Sequence, residues 1–366
     1  MGTDSLPSFI EQVTGDSHLR VESDLGGGFV RLLSSEAERR QAKQDIRSVE
    51  DIVIEMLRNS RDAGAHLIFV STAREGSLRR LTIIDDGQGI PVSVQEAIFE
   101  PRVTNKLDTG HMDRWGMHGR GMALFSIREN TVEARVAASA PGLGAALTVA
   151  ADTSVLPERT EQSALPHFAL SEEGRPVMRG PRNINRMVAE FAWEERQSCQ
   201  VFLGSPNEIA ATLVVRGRAA LDATAAASLG AGNHEGVPLC LRPALCDTPA
   251  ALAQQAALLG LEMSERSARR ILDGQIAPAP PFLARLDLPG TQATGATASS
   301  ASDAAVLPAD ARGLKVDAGD LQAFASRLAD AWRPLARAYF LEEGVEPQVR
   351  VGKDGIRVFF PAVKER

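Results

Sequence analysis

Tyrosine occurs once in 366 residues, and aromatic residues together make up only 5% of the chain. That scarcity disfavours a large β architecture built on an aromatic core. Cysteine occurs three times, at Cys199, Cys240 and Cys246, so the three cannot all pair with one another. No histidines stand at ligand spacing from them, which argues against a zinc site; buried free thiols in a reducing cytoplasm are the expectation. No run approaches the roughly 18 apolar residues a membrane span needs, and the N-terminus shows no signal-peptide pattern. A cytoplasmic location and no membrane partner are therefore expected. A net charge of −7 excludes a uniformly basic nucleic-acid coat, although clustered arginines allow a local basic patch.

What is present is the composition of a soluble globular protein, with 44% hydrophobic and 24% charged residues. The length suits two or three domains of about 150 residues each. In the first region, about residues 1–156, "VEDIVIEMLRNSRDAGA" is a helix that Gly64 is placed to end. "HLIFVSTA" and "RRLTIIDDG" read as strands joined around Glu75 and Gly76. "VSVQEAIFE" after Pro91 is a short helix, "GMHGRGMALFSIREN" a glycine loop opening into a helix, and "EARVAASAPGLGAALTVAA" a hairpin turning at Pro141 and Gly142. Helices alternating with hairpin-linked strands predict an α+β chain containing an α/β sandwich, a mixed and mostly antiparallel sheet with helices on one face. Residues 157–215 form an adjoining α/β segment, with "NINRMVAEFAWEER" helical and both "CQVFLG" and "ATLVVRG" strand-like. Residues 216–288 are Ala-rich and helical, 289–313 are a flexible linker by composition, and 314–366 are a small α/β piece.

Within the first helix, Glu55, Asn59 and Asp62 fall at i, i+4 and i+7. This spacing stacks a carboxylate, an amide and a second carboxylate along one stripe. The stripe borders the apolar face carried by Ile52, Val53, Met56 and Leu57, so these groups should sit at the edge of the core. Downstream, "DDGQGI" ends a strand with Asp85 followed by Gly87 and Gly89. "RVTNK" (102–106) then leads to "GMHGRGMALFSI", in which Gly116, Gly119 and Gly121 free the backbone for close approach just before a helix. Unpaired N–H groups and the dipole at a helix start suit phosphate oxygens.

In order and spacing these elements resemble the GHKL ATP-binding superfamily, which includes gyrase B, the large heat-shock chaperones, histidine kinases and MutL mismatch-repair proteins. Glu55-x-x-x-Asn59-x-x-Asp62-Ala63-Gly64-Ala65 is similar to the N-box in its MutL and type II topoisomerase form, "DDGQGI" to the G1 box and "GMHGRGMALFSI" to the G2 box. The resemblance covers about residues 25–150 and implies a Bergerat-type α/β sandwich that binds ATP with Mg²⁺. It implies that Asn59 binds the Mg²⁺ and that Glu55 is the general base toward the water attacking the γ-phosphate. It further implies that Asp85 accepts a hydrogen bond from the adenine amino group, with Gly87 and Gly89 letting the base approach. Gly116, Gly119 and Gly121 would wrap the phosphates as part of a lid, and Thr104 and Lys106 would line the same pocket. Asp62 either touches nucleotide or supports the G1 region and helix end; Arg120 either contacts phosphate or lies exposed.

The chain departs from some relatives of this superfamily. His18 is the sole histidine before Glu55 and belongs to no two-helix dimerisation segment, and a glutamate base suits a hydrolase, so histidine kinase activity is not expected. Gyrase, MutL and topoisomerase VI relatives place a lysine of a following transducer domain on the γ-phosphate, yet residues 157–215 contain no lysine. In the second half, "ALAQQAALLGLEMSERSARRILDGQ" (251–275) reads as two helices, the second capped by Ser264 and stopped by Gly274. "MSERSARRIL" resembles the recognition helix of a helix-turn-helix, with Ala268, Ile271 and Leu272 inward and Glu265, Arg266, Arg269 and Arg270 exposed for DNA. A helical hairpin with a solvated charged face is the other reading of the same residues.

The expected function is an ATP-hydrolysing conformational switch of the MutL and topoisomerase-like branch, acting on DNA or a DNA-associated partner. Nucleotide-dependent pairing with a second copy or a partner protein would accompany it. An ATP-responsive DNA-binding regulator with little hydrolysis, and a chaperone-like ATPase acting on protein clients, are the alternatives.

Overall fold

The computed structural model describes residues 21–105, 111–118, 121–159, 161–170, 176–221, 236–286, 318–338, 341–352 and 355–361. Two compact units divide the chain at residue 292. In the first, β1 (Val21–Gly26) and β2 (Phe29–Leu32) form an antiparallel hairpin. Ser35 starts α1 (Glu36–Asp45) through a reciprocal capping box with Glu38. The helix expected over residues 49–65 is α2 (Val49–Asp62), whose first turn is fixed by the Asp51 carboxylate accepting the Arg47 and Ser48 amides at 2.8 and 2.9 Å. Gly64, at φ 73°, reverses the chain so that the Ala65 amide reaches back to the Ser60 carbonyl at 3.1 Å.

β3 (Leu67–Glu75) and β4 (Leu78–Asp85) follow as an antiparallel pair. The segment expected as one short helix, residues 92–100, forms two 3₁₀ turns instead, Val92–Val94 and Ala97–Phe99. Nine residues are too few to nucleate an independent α-helix, and packing of Val94, Ile98 and Phe99 decides the local form. β5 (Val103–Thr104) adds to β2 to complete the order β1-β2-β5. Between it and α3 (Ala123–Glu129) lies a small hairpin of β6 (His111–Asp113) and β7 (Gly116–His118), so residues 116–118 of the expected glycine loop are paired strand. β8 (Glu133–Ser139) and β9 (Ala145–Asp152) make the hairpin that turns through Pro141 and Gly142.

A short hairpin of β10 (His167–Leu170) and β11 (Pro176–Arg179) precedes α4 (Ile184–Glu194) and β12 (Gln200–Gly204). β12 pairs in parallel with β3, giving a mixed five-stranded sheet of order β12-β3-β4-β9-β8. The boundary expected at residue 156 thus falls inside one compact unit. The strand expected at "ATLVVRG" is overturned: these residues lie in α5 (Pro206–Ala220). Ser205 and Glu208 form a capping box with Pro206 at the first helical position, and the run from Ile209 to Val214 is apolar except for Thr212 because α5 is buried over most of its surface there. Further on are α6 (Pro249–Leu258) and α7 (Glu265–Leu272).

Helices cover both faces of the sheet, a correction to the expected single helical face. Strand alternation sends Ile68, Val70, Leu81, Ile83, Val201 and Leu203 toward α2 and α4, while Phe69, Ile84, Ala146 and Phe202 meet α5, α6 and α7. On the second face Phe69 and Phe202 stack at 5.0 Å between ring centroids. Each fully buried aliphatic or aromatic side chain here contributes about 1.5–3 kcal/mol by leaving water. The Gly260 carbonyl, in the turn between α6 and α7, accepts from Thr82 Oγ1 at 2.9 Å and docks that turn on the sheet.

The second unit contains α8 (Ala318–Ala338) and an antiparallel hairpin of β13 (Gln348–Gly352) and β14 (Gly355–Phe359). Trp332 stacks on Phe360 at 4.7 Å, and its indole N–H donates to the Glu342 carbonyl at 3.2 Å. The expected linker over residues 289–313 lies outside the described residues.

Candidate functional site

A cavity of about 660 Å³ opens beside α2, and its wall includes residues of α1, α2, β4, β5 and α3. The stripe read from sequence faces it: Glu55, Asn59 and Asp62 all line the cavity and all are half-buried. Ile52 and Leu57 on the neighbouring face of α2 have no exposure, so the helix is held by its apolar side while its polar edge borders the hollow. Asn59 Nδ2 is buried without a hydrogen-bond partner, and turning the amide over presents its oxygen at the same place.

Asp85 ends β4 in the cavity wall and is 3% exposed. Ser60 Oγ donates to its Oδ2 at 2.7 Å, and the Gly87 amide donates to its Oδ1 at 3.0 Å. Burial pushes this carboxyl above the usual carboxylate range, against the hydrogen bonds from Ser60, Gly87 and Ala145. With three donors in place, the carboxylate keeps one lone-pair site for an incoming donor. Gly89, at φ 71°, also lines the cavity, and a Cβ there would collide with the Ala140 carbonyl in the β8–β9 turn. Its lack of a side chain is thus required by the protein's own packing.

Thr104 on β5 is buried in the cavity wall, and Gly121, just before α3, lies against the Arg102–Val103 backbone and lines the cavity as well. Gly116 belongs to β7, and its carbonyl accepts from Arg58 Nη2 at 2.7 Å. Lys106, Gly119 and Arg120 lie outside the described residues. The structure therefore brings Glu55, Asn59, Asp62, Asp85, Gly89, Thr104 and Gly121 to one cavity, with Gly87 behind Asp85.

Several residues of the site escaped the sequence reading. Glu38, Gln41 and Asp45 of α1 supply one wall, although nothing in the sequence ties residues 36–45 to the motifs. Arg102 stands at φ 62°, held by its amide on the Gly121 carbonyl (2.8 Å) and its carbonyl on the Leu32 amide (3.0 Å). A left-handed non-glycine residue costs about 1–3 kcal/mol, so the surrounding structure imposes it. Its guanidinium pairs with Glu38. The cavity wall carries the carboxylates of Glu38, Asp45, Asp51, Glu55, Asp62 and Asp85 but only Arg47, Arg58 and Arg102 as cations among the described residues. An anionic ligand entering this wall needs a cation brought with it.

Glu55 is engaged by its own helix. Arg58 Nη1 donates to Glu55 Oε1 at 2.5 Å, an i, i+3 pair. Burial raises the Glu55 carboxyl above its ordinary value, and the Arg58 charge and hydrogen bond work in the opposite direction. A half-buried carboxylate with raised proton affinity in a cavity wall has the properties of a general base.

In the second half, α7 packs Ala268 and Ile271 inward with Leu272 half-buried, and leaves Glu265, Arg266, Arg269 and Arg270 exposed. No helix among the described residues is long and apolar enough to cross a membrane. The three cysteines are buried and free.

Residues 44–154 match the family model described as histidine kinase-, DNA gyrase B-, and HSP90-like ATPase. Over 83 residues the chain is 40% identical to the DNA mismatch repair protein MutL of Thermus aquaticus, and equally to that of two strains of Thermus thermophilus. The aligned stretch is 22% of this chain and 15% of each relative, so the chain spans only a small part of the curated proteins it matches. Glu55, Asn59 and Asp85 lie within the matched residues, and residues 44–154 of this chain are a domain of the GHKL ATPase family.

Proposed function

We propose that this chain binds ATP with Mg²⁺ in the cavity beside α2 and hydrolyses it as a conformational switch of the MutL and topoisomerase-like branch, acting on DNA or a DNA-associated partner. One observation carries the reading. A buried, oriented carboxyl at Asp85 and the Glu55–Asn59 pair, one helical turn apart on α2, line a single cavity of about 660 Å³.

The roles follow from the chemistry of each group. Asp85 accepts from the exocyclic amino group of adenine, and its carboxylate repels the carbonyl that guanine carries at the same position. Glu55 takes the proton from the attacking water as the water oxygen bonds to the γ-phosphorus and the bond to the β–γ bridging oxygen breaks, giving ADP and phosphate. Asn59 supplies an amide oxygen to Mg²⁺, and its unpartnered buried amide fits that use. Bound Mg²⁺ neutralises phosphate charge; it commonly keeps several waters with few protein ligands, which suits a site without a cluster of three acidic or histidine ligands among the described residues. Thr104, Lys106, Gly116, Gly119, Arg120 and Gly121 complete the phosphate end of the site in this reading, and Asp62 supports the end of α2.

Nucleotide closure is coupled to pairing with a second copy or a partner protein, and the exposed arginines of α7 form the DNA contact. A second reading, an ATP-responsive DNA-binding regulator with little hydrolysis, is favoured by the same α7 face together with the engagement of Glu55 by Arg58. Steady-state ATP hydrolysis by the full chain with Mg²⁺, with and without duplex DNA, separates them. Turnover that rises with DNA and vanishes in Glu55→Ala, with ATP affinity kept within about threefold, supports the switch. Binding without turnover selects the regulator, and turnover stimulated by unfolded protein but not DNA points to protein clients.

A further inference from the structure

Arg58 precedes Asn59 on α2 and is 2% exposed, among the largest fully buried side chains described. All three of its guanidinium nitrogens are engaged. Nη1 donates to Glu55; Nε and Nη2 grip Asp113 as a fork at 3.0 and 2.7 Å; Nη2 also donates to the Gly116 carbonyl at 2.7 Å. Asp113 and Gly116 are the paired ends of the β6–β7 hairpin, so one side chain joins the carboxylate of α2 to that hairpin. The planar fork of arginine fixes the direction of the third nitrogen once two are held.

The hairpin is seated by contacts of its own. Trp115 packs on the core with its ring 6.1 Å from Phe191, and Arg114 pairs with Glu190 and Glu194 of α4 at 3.4 and 3.3 Å. The Trp115 amide donates to Asp113 Oδ1 at 3.0 Å, which sets the aspartate from within its turn. The carboxylate that Arg58 grips is therefore positioned by the hairpin, with Arg61 Nη1 on its Oδ2 at 3.4 Å, and the nitrogen that Arg58 offers to Glu55 is positioned by that grip.

We propose that Arg58 is a positioning residue for Glu55 and that Asp113 holds it in place, so that seating of the 111–118 hairpin is read by the base through a single guanidinium. The inference rests on the assignment of Glu55 as general base. With the hairpin seated, Arg58 keeps Glu55 ionised and limits its rotation; with the fork released, the carboxylate loses its orientation and its charge partner. Hydrolysis then depends on an aspartate outside the cavity wall. Glu55 meets three charged groups: Arg58 on its own helix, Asp113 on the hairpin and Asp45 on α1. Arg58 lowers its proton affinity, whereas Asp113 and Asp45 raise it.

The test uses Asp113→Asn and Arg58→Met in the full chain, with wild type and Glu55→Ala beside them. Asp113→Asn keeps the shape of the side chain and guards against an Arg58 variant that fails to fold. The expected result is a fall in kcat of roughly 10- to 100-fold in Asp113→Asn, with ATP affinity close to wild type. The acidic limb of the kcat–pH profile moves to higher pH in both variants: Arg58→Met removes the positive neighbour of Glu55, and Asp113→Asn releases it, which outweighs the loss of the weaker Asp113 charge. A purely structural tie would lower the melting temperature and leave the limb in place. Wild-type kcat and an unmoved limb in Asp113→Asn would overturn the coupling. Failure of the underlying assignment looks different: Glu55→Ala would then retain full turnover, and the coupling falls with it.

Discussion

Replacing Asp85 by asparagine tests the floor of the site while leaving its shape intact. Asparagine can keep the Gly87 amide on its oxygen and offer its NH₂ to Ser60 Oγ, so these two of the three hydrogen bonds have replacements. The fold should survive, and the cost falls on the ligand. A hydrogen bond to a charged acceptor contributes about 1.5–3 kcal/mol and a neutral one about 1 kcal/mol, so the exchange costs about 1.5 kcal/mol. That is about tenfold in Kd for ATP. The asparagine NH₂ can donate to the guanine carbonyl that the carboxylate repels, so preference for ATP over GTP falls by more than the loss of ATP affinity. Titration calorimetry with both nucleotides measures this, with thermal melts as the control. The pH dependence supplies an independent reading. Burial raises the Asp85 carboxyl in the folded chain above its ordinary value of 3.8. As pH falls through that raised value, native wild type takes up a proton before the unfolded chain does. Wild type therefore gains stability relative to Asp85→Asn on acidification, while at pH well above the raised value the gap between them is constant. An intact Asp85→Asn chain with wild-type ATP affinity and unchanged nucleotide preference would refute the adenine assignment.

Other consequences of the geometry are open to simple measurement. Gly89→Ala combines a left-handed backbone with a collision against Ala140, so it should destabilise the chain by more than about 2 kcal/mol; an unchanged melting temperature would contradict the turn packing. Burial pushes the Cys199 and Cys240 thiols up to about 11 and raises Cys246 as well, so the native chain at pH 8 should resist a thiol reagent that modifies all three after unfolding. Rapid labelling of the native chain would show that these sites open. Alanine at Arg266, Arg269 and Arg270 should weaken retention on duplex DNA and reduce the salt slope by about 2 to 3 if each meets a phosphate. Undiminished binding would leave α7 as a solvated helix with no part in DNA contact.

What the sequence determined by itself is what short-range physics controls. The 3.6-residue period set the polar stripe of Glu55, Asn59 and Asp62 at the edge of the α2 core, and Gly64 ended the helix because it tolerates a left-handed turn that other residues resist. The strand before Asp85 and the two main hairpins were legible for the same reason, since alternation and turn residues act over a few positions. Tertiary structure decided the rest. The largely apolar run at residues 209–214 is compatible with a buried strand or a buried helix; the Ser205–Glu208 capping box starts it as a helix, and burial against the sheet and α7 holds α5 there. The parallel addition of β12 to β3, well over 100 residues apart, and the helical layer on the second face of the sheet follow from long-range packing with no local signature. The same holds within the site. The i, i+3 pair of Glu55 and Arg58 could be read along one helix, but the grip of Arg58 on Asp113 spans 55 positions. The left-handed Arg102 exists because Leu32 and Gly121 hold its backbone from two other segments. Side-chain chemistry at the site was written locally; the contacts that aim it come from residues far apart in the chain, because orientation in a folded protein is set by what packs around a group.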